Sequence, residues 1–499
     1  MVLLTSATYK ADTWKQSQSR TLRVLAKCLD LKSLVLDFTD QEKVSRGPRE
    51  SRVNLEPLNL VKVVAILVVL FGHAIFYQLP ITPDAIRVAN GIRTRPDLMG
   101  LASINLVVES LFVISGILFA YLTFKKLRNE LESSSTVIQT IRLLLRIVRD
   151  RYLRLVPIYF ILHRFKQTVF IHLGSGPLWD QSFNAASFNG ACREESWLVP
   201  LLGLSSYRGT RQCFTQSWSL GCELFFIVLN APLVMIVAKK PKLGVPIVLA
   251  LGIATSVLQH RAIVDLDPQD VATITKMEYG FFRLMFEKYH SRYMNSHLRP
   301  ISALFGLVCG YVIYLYEKNE IKTLPREQIS RATKLALATM VLIVASHFMG
   351  PFIANNIIDH IDSSIAMHLI GTIRVPWTIA SCIVLLRLVT DWKDSFIMKI
   401  MNGRIINVLS KLNLIIVIIH TDVQLISLYH GQSFIPNLSI ARSLDVFAAS
   451  IVYCYVLGAI IYVCVESPVR RLIQSVIDWC SKENKQNVIE RKHPAKKEA

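Results

Sequence analysis

Residues 58–79 read LNLVKVVAILVVLFGHAIFYQL. At 1.5 Å per residue this run covers ~33 Å as a helix, enough to cross a hydrocarbon core of ~30 Å. Comparable apolar windows recur as far as Glu466, at 101–123, 152–173, 216–238, 243–259, 298–316, 333–350, 365–388, 405–428 and 443–465. They predict an all-α, polytopic integral membrane protein of about ten transmembrane helices. Composition agrees. Of the 499 residues 52% are hydrophobic and 18% charged, where soluble domains carry about 25% charge. The mean hydropathy is +0.40.

The net charge of +20 is read as a membrane signature, because Lys and Arg gather in cytosolic loops beside anionic headgroups. No basic stripe interleaved with aromatics occurs in a soluble domain, which excludes nucleic acid as a partner. Lys125–Arg151, Lys239–Lys242, Lys318–Lys334, Arg387–Arg404 and the C-terminal tail are rich in Lys and Arg, whereas the segment 351–364 has neither. An even number of spans then puts both termini in the cytosol. The expected organisation is a cytosolic N-terminal segment 1–54, a membrane domain 55–470 and a basic cytosolic tail 471–499. The first fifty residues hold no apolar run suited to a secretory signal peptide, so the first span is expected to direct insertion. Thr21–Phe38 mixes Leu and Val with Lys and Arg, and reads as a surface amphipathic helix or a peripheral packing helix. Cys192 and Cys213 fall in a predicted luminal or extracellular loop, where they form a disulfide or stay as two thiols.

Titratable groups at membrane depth are costly and normally face the protein interior or a watery cavity. Lys62 and His73 in the first span lie eleven residues apart. That is three turns, about 16 Å along the axis, with a net rotation of about 20°, so both occupy one helical face. The same arithmetic places His73 about 22 Å from the cytosolic end and Glu109 about 12 Å from the luminal end. Glu223, Arg374 and His420, followed by Asp422, fall near that level. A neutral imidazole in such a layer can take a proton from a hydroxyl, and a carboxylate can orient the ring. Acyl transfer from a thioester needs that base and donors for the oxyanion, for which Arg374 or backbone N–H groups are candidates. Lys62, Arg151 and Arg154 suit the phosphates of an anionic donor. The competing reading is a network of buried ion pairs without catalysis.

These residues resemble the acyltransferase 3 family, in its nose-resistant-to-fluoxetine branch. The family's first helix carries Arg, ten residues, then His; Lys62 and His73 hold those places. Its Asp-x-Phe-Phe-x-x-Ser-Gly element is matched by Glu109 to Gly116, and its Arg-Tyr-Leu-Arg-Leu-x-Pro-x-Tyr element by Arg151 to Tyr159. The Ser-Trp-Ser-Leu-x-x-Glu element appears as Ser217 to Glu223. Gly306, Gly310, His420 and Glu466-Ser467-Pro468 follow in the family's order. The resemblance implies an O-acyltransferase that moves an acyl group, with acyl-CoA as co-substrate, to a hydroxyl of a lipid, glycan or small molecule within membrane lipids. In it His73 is the general base and Glu109 its orienting carboxylate. Lys62, Arg151 and Arg154 bind the donor, while Glu223, Arg374 and His420 form the supporting polar layer. No metal and no bound cofactor are expected. Four departures from the pattern (Lys62 for Arg, Glu109 for Asp, Phe225 for Gln, Leu60 for Gly) keep an inactive member as an alternative, beside a transporter or lipid-uptake protein. Lys496 and Lys497 near the end resemble a dilysine endoplasmic-reticulum retrieval signal. The expected location is the endoplasmic reticulum or the plasma membrane.

Overall fold

A computed structural model describes residues 28–39, 53–78, 81–82, 104–134, 136–182, 192, 195–208, 213–265, 291–321, 326–356, 368, 371–390, 403–429 and 439–492. Among the described residues every regular element is helical. The longer helices are α1 (Leu31–Thr39), α2 (Pro57–Phe76), α3 (Ile104–Ser133), α4 (Val137–Thr168), α5 (Trp218–Lys239) and α6 (Pro241–Val264). They continue as α7 (Pro300–Glu317), α8 (Arg326–Asn356), α9 (Arg374–Thr390), α10 (Arg404–Lys411), α11 (Asn413–Tyr429), α12 (Ile440–Ile461) and α13 (Ser467–Lys492). Only a helix or a closed barrel satisfies its own backbone within lipid, which is why apolar runs of this length take this form.

Local chemistry fixes several ends. Proline opens α2, α6 and α7, where the first turn has no use for its missing N–H. A capping box joins Thr136 and Gln139 ahead of α4, and Ser439 caps α12 by accepting from the Arg442 N–H. Between α12 and α13 the residues Tyr462–Glu466 widen into a π-helical turn.

Among the described residues the expected count of about ten spans is not confirmed. Seven described helices are long and apolar enough to cross a membrane, or eight if the pair α10–α11, bent by 66°, counts as one broken span. The expected span 152–173 falls in the second half of α4, which begins at Val137, and in the 3-10 turn Phe170–His172 after it; Arg151, Arg154, Arg164 and Lys166 keep this stretch of α4 out of the apolar set. The expected span 365–388 is described as a helix only from Arg374, over 17 residues. The expected basic loop Lys125–Arg151 is mostly helical, formed by the ends of α3 and α4. Part of the expected tail continues α13 to Lys492, while Lys496 and Lys497 lie outside the described residues. Of the expected N-terminal helix, Thr21–Lys27 also lie outside them. The remainder, α1, is a packing helix. It buries Leu34 and is held by Lys411, which donates to the Asp37 and Phe38 carbonyls at 3.0 and 2.9 Å.

Helices in lipid gain little from hydrophobic exclusion and associate through close packing of small residues. α3 and α7 make the most extensive contact in the bundle, and glycines explain it. A side chain at Gly116 would collide with the backbone of Ala303. At Gly306 or Gly310 it would collide with that of Val113 or Ile117. Two apolar cores result, one joining α2, α11 and α12, the other joining α3, α5, α7 and α9. The seam between them holds the cavity described next.

Candidate active site

Lys62, Ile66, Val69, Leu70 and His73 repeat at helical spacing along α2 and line a cavity of about 380 Å³. α3, α4, α5, α10, α11, the π-helical turn and the start of α13 also line it. Five cations, Lys62, Arg151, Arg154, Lys411 and Arg470, face two carboxylates, Glu223 and Glu466. The excess of positive charge favours an anionic ligand.

Several of these charged groups are held in place. Lys62 Nζ donates to Asn59 Oδ1 at 3.0 Å, and Asn59 in turn donates to Asn407 Oδ1 at 2.7 Å. Arg151 donates to the carbonyls of Leu118 and Phe119 at 3.3 and 3.4 Å and stacks on the Phe119 ring. Ser115 Oγ donates to Glu223 at 2.5 Å. Arg470 pairs with Glu466 one turn away. These groups and the aliphatic side chains of Ile66, Leu70, Leu414 and Val417 produce a charged region and an apolar region within one cavity.

The second feature is a histidine pair. His73 Nδ1 lies 2.8 Å from His420 Nε2, with the rings within 13° of parallel. The other nitrogen of His420, Nδ1, sits 3.0 and 2.9 Å from the carbonyls of Ile416 and Val417. Carbonyls only accept, so His420 Nδ1 carries the hydrogen and, with both rings neutral, its Nε2 is an acceptor. His73 must then donate through Nδ1, which puts its basic lone pair on Nε2. A general base requires that tautomer to be fixed.

Of the residues expected at the site, Lys62, His73, Arg151, Arg154, Glu223 and His420 line one cavity. Glu109 and Arg374 do not, and the expected pairing of Glu109 with His73 is corrected. Glu109 is fully buried and holds Arg299 at 2.6 Å, Ser302 at 2.6 Å and Arg374 at 3.3 Å. The Arg299 guanidinium stacks on Phe112 and Trp218, whose own positions are in the cavity wall. The cluster therefore stands behind that wall, and Arg374 is not placed to donate to an oxyanion in the cavity. A buried carboxylate needs cations and hydrogen bonds around it, and α7 supplies them. Arg299, immediately before Pro300, was the residue that depth arithmetic on spans passed over.

Cys192 and Cys213 are joined by a disulfide. Beside it His163 Nε2 meets Glu195 at 2.7 Å, and the same carboxylate accepts from the Cys213 N–H at 3.0 Å. His163, Glu195 and Cys213 put ligand-type atoms within 4.8 Å of one another, but the Cys213 sulfur is already bonded to Cys192.

The acyltransferase domain model of the Acyl_transf_3 family matches residues 56–471. The chain belongs to the acyltransferase 3 family. The matched range of this acyltransferase 3 chain contains every cavity-lining residue named above. It is also similar to nose resistant to fluoxetine protein 6 of Caenorhabditis elegans, 23% identical over 301 residues, 58% of this chain. The match spans 35% of that protein's length, about a third. No solved structure matches the acyltransferase 3 chain.

Proposed function

We propose that the protein transfers an acyl group from a coenzyme A thioester to a hydroxyl of a lipid, glycan or small molecule. The observation that carries this is a fixed-tautomer His73 in the same cavity as five cations, about 16 Å along α2 from Lys62. A pantetheine arm runs roughly thirteen bonds from sulfur to phosphorus, about 16 Å when extended at ~1.2 Å per bond. Phosphates held by Lys62, Arg151 and Arg154 therefore leave the thioester beside the imidazole.

In the proposed step His73 Nε2 takes the proton of the acceptor hydroxyl as its oxygen bonds to the thioester carbonyl carbon. The C–S bond then breaks, and the departing thiolate receives that proton from His73, so no net proton is released. His420 holds the His73 tautomer throughout. Glu223 and Glu466 separate the cations from one another. The Lys62 end of the cavity is assigned to the cytosol, where coenzyme A is available, with both termini on that side of an endoplasmic-reticulum or plasma membrane.

The test is purified full-length protein in lipid nanodiscs with labelled acyl-CoA, scored for thioester cleavage and for acyl transfer. Loss of a general base lowers the rate about a hundredfold or more, so His73→Ala is expected to abolish turnover. Cargo movement with full activity in His73→Ala would instead favour a transporter.

A further inference from the structure

Acyl transfer through His73 has a second requirement besides the base. As the acceptor oxygen bonds to the thioester carbon, the carbonyl electron pair moves onto oxygen, and that oxyanion needs a fixed hydrogen-bond donor. Arg374, held by Glu109 behind the cavity wall, is not placed to be that donor.

Trp218 opens α5 and lines the cavity. Only 9% of it is exposed. Among the described residues its indole N–H nevertheless has no hydrogen-bond partner, and Nε1 is not one of the unpaired atoms closed to solvent. Trp377 and Trp179, buried at least as deeply, donate to Ser110 Oγ and to the Ile171 carbonyl, each at 3.0 Å. An indole nitrogen only donates, and a buried tryptophan normally finds an acceptor. The rest of the Trp218 ring is covered. The Arg299 guanidinium lies 4.7 Å from its centre, and Phe112 and Tyr293 meet it at steep angles at 6.2 and 5.1 Å. With those sides packed, the open N–H is the edge on the cavity.

The turn before α5 puts this donor at the level of the histidine pair. Thr215 hydrogen-bonds the Tyr77 hydroxyl, one turn beyond His73, and Gln216 Nε2 donates to the carbonyl of Ile418, two residues before His420. The start of α5 is thereby tied to both α2 and α11 at the histidine end of the cavity. Lys62 is about three turns of α2 away from that end, so the indole serves the acyl group and not the phosphates.

We propose that Trp218 is a catalytic residue whose indole N–H holds the thioester carbonyl oxygen and the oxyanion formed from it. The inference rests on the acyl-thioester reading above and adds the donor that reading requires. His73 Nε2 takes the hydroxyl proton, the acceptor oxygen bonds to the carbonyl carbon, and the carbonyl pair shifts to the oxygen facing the indole. When that pair re-forms the C=O bond, the C–S bond breaks and the thiolate takes the proton back from His73. Trp218 keeps its own proton throughout.

Two replacements at position 218, made in the full chain and assayed in nanodiscs with acyl-CoA, separate the N–H from the ring. β-(3-Benzothienyl)alanine keeps the ring shape and the electron-rich face toward Arg299 but carries sulfur in place of the N–H. Tetrafluorotryptophan keeps the N–H and loses the electron-rich face that attracts the cation. Removing one oxyanion donor lowers kcat by about 10²–10³-fold, so the benzothienyl form is expected to lose about a hundredfold or more in kcat while KM stays within about twofold. The tetrafluoro form should keep kcat close to wild type even where its melting temperature falls. The reverse order marks a packing role and overturns the proposal, as does a benzothienyl form with wild-type kcat. Trp218→Phe, which also lacks the N–H, is read in the same way if the benzothienyl form misfolds. If the wild-type protein cleaves no acyl-CoA, the acyl-thioester reading falls and the role of Trp218 with it. If wild type is active, His73→Ala is dead and the benzothienyl form turns over normally, only the role of Trp218 falls.

Discussion

His73 Nδ1 and His420 Nε2 are 2.8 Å apart although the residues are separated by 347 positions in the chain. The bond joins α2 to α11, and the backbone carbonyls of Ile416 and Val417 set its direction. The His73 tautomer is therefore set by His420, whose Nδ1 is committed to those carbonyls.

Replacing the second ring tests that relationship. His420→Ala removes the acceptor that holds the His73 tautomer and is expected to lower kcat by about tenfold to a hundredfold, with donor KM little changed. His420→Gln offers a side-chain carbonyl to His73 Nδ1 and should recover part of the loss. Equal rates for the alanine and glutamine forms would remove His420 from the positioning role.

At the charged end, Lys62→Ala should raise the KM for acyl-CoA several-fold while kcat holds. Lys62→Arg should preserve or improve binding, because a guanidinium adds a planar fork suited to phosphate. Direct binding of acyl-CoA measures both, and unchanged affinity in the alanine form defeats the assignment.

Glu109→Gln separates stability from chemistry. Glu109 neutralises Arg299 and Arg374 at 2.6 and 3.3 Å, and breaking a buried pair of this kind costs about 3–5 kcal/mol. The expected outcome is a marked fall in melting temperature, with kcat of the surviving folded protein near wild type. A stable variant with abolished turnover would return Glu109 to the reaction.

Helix packing predicts its own lesion. Gly306→Val puts two methyl groups where the α3 backbone at Val113 already lies, so α7 must move away and carry Arg299 off Glu109. Expression yield and thermal stability in detergent should both drop, and a variant as stable as wild type would contradict the close approach.

The disulfide is checked by non-reducing peptide mapping, which should recover the Cys192 and Cys213 peptides as one species. Removing a native bridge typically costs about 2–5 kcal/mol, so Cys213→Ser should lower the melting temperature under oxidising conditions. Recovery of both thiols in free form would exclude the bridge.

Sequence alone determined the helical membrane class and the Lys62–His73 face of α2. Those properties are local: apolar windows of about 20 residues and a rise of 1.5 Å per residue give position along one axis. The same arithmetic does not fix the number of spans, since the charge of α4 and the break at Leu412 blur where an apolar window becomes a crossing helix. Depth is a single coordinate and leaves open which helices are neighbours and how each is rotated. Tertiary structure decided that. The glycine contact of α3 with α7 brought Arg299 and Ser302 to Glu109, while packing of α2 against α11 gave His73 its partner in His420. Side chains met according to which helices could approach closely.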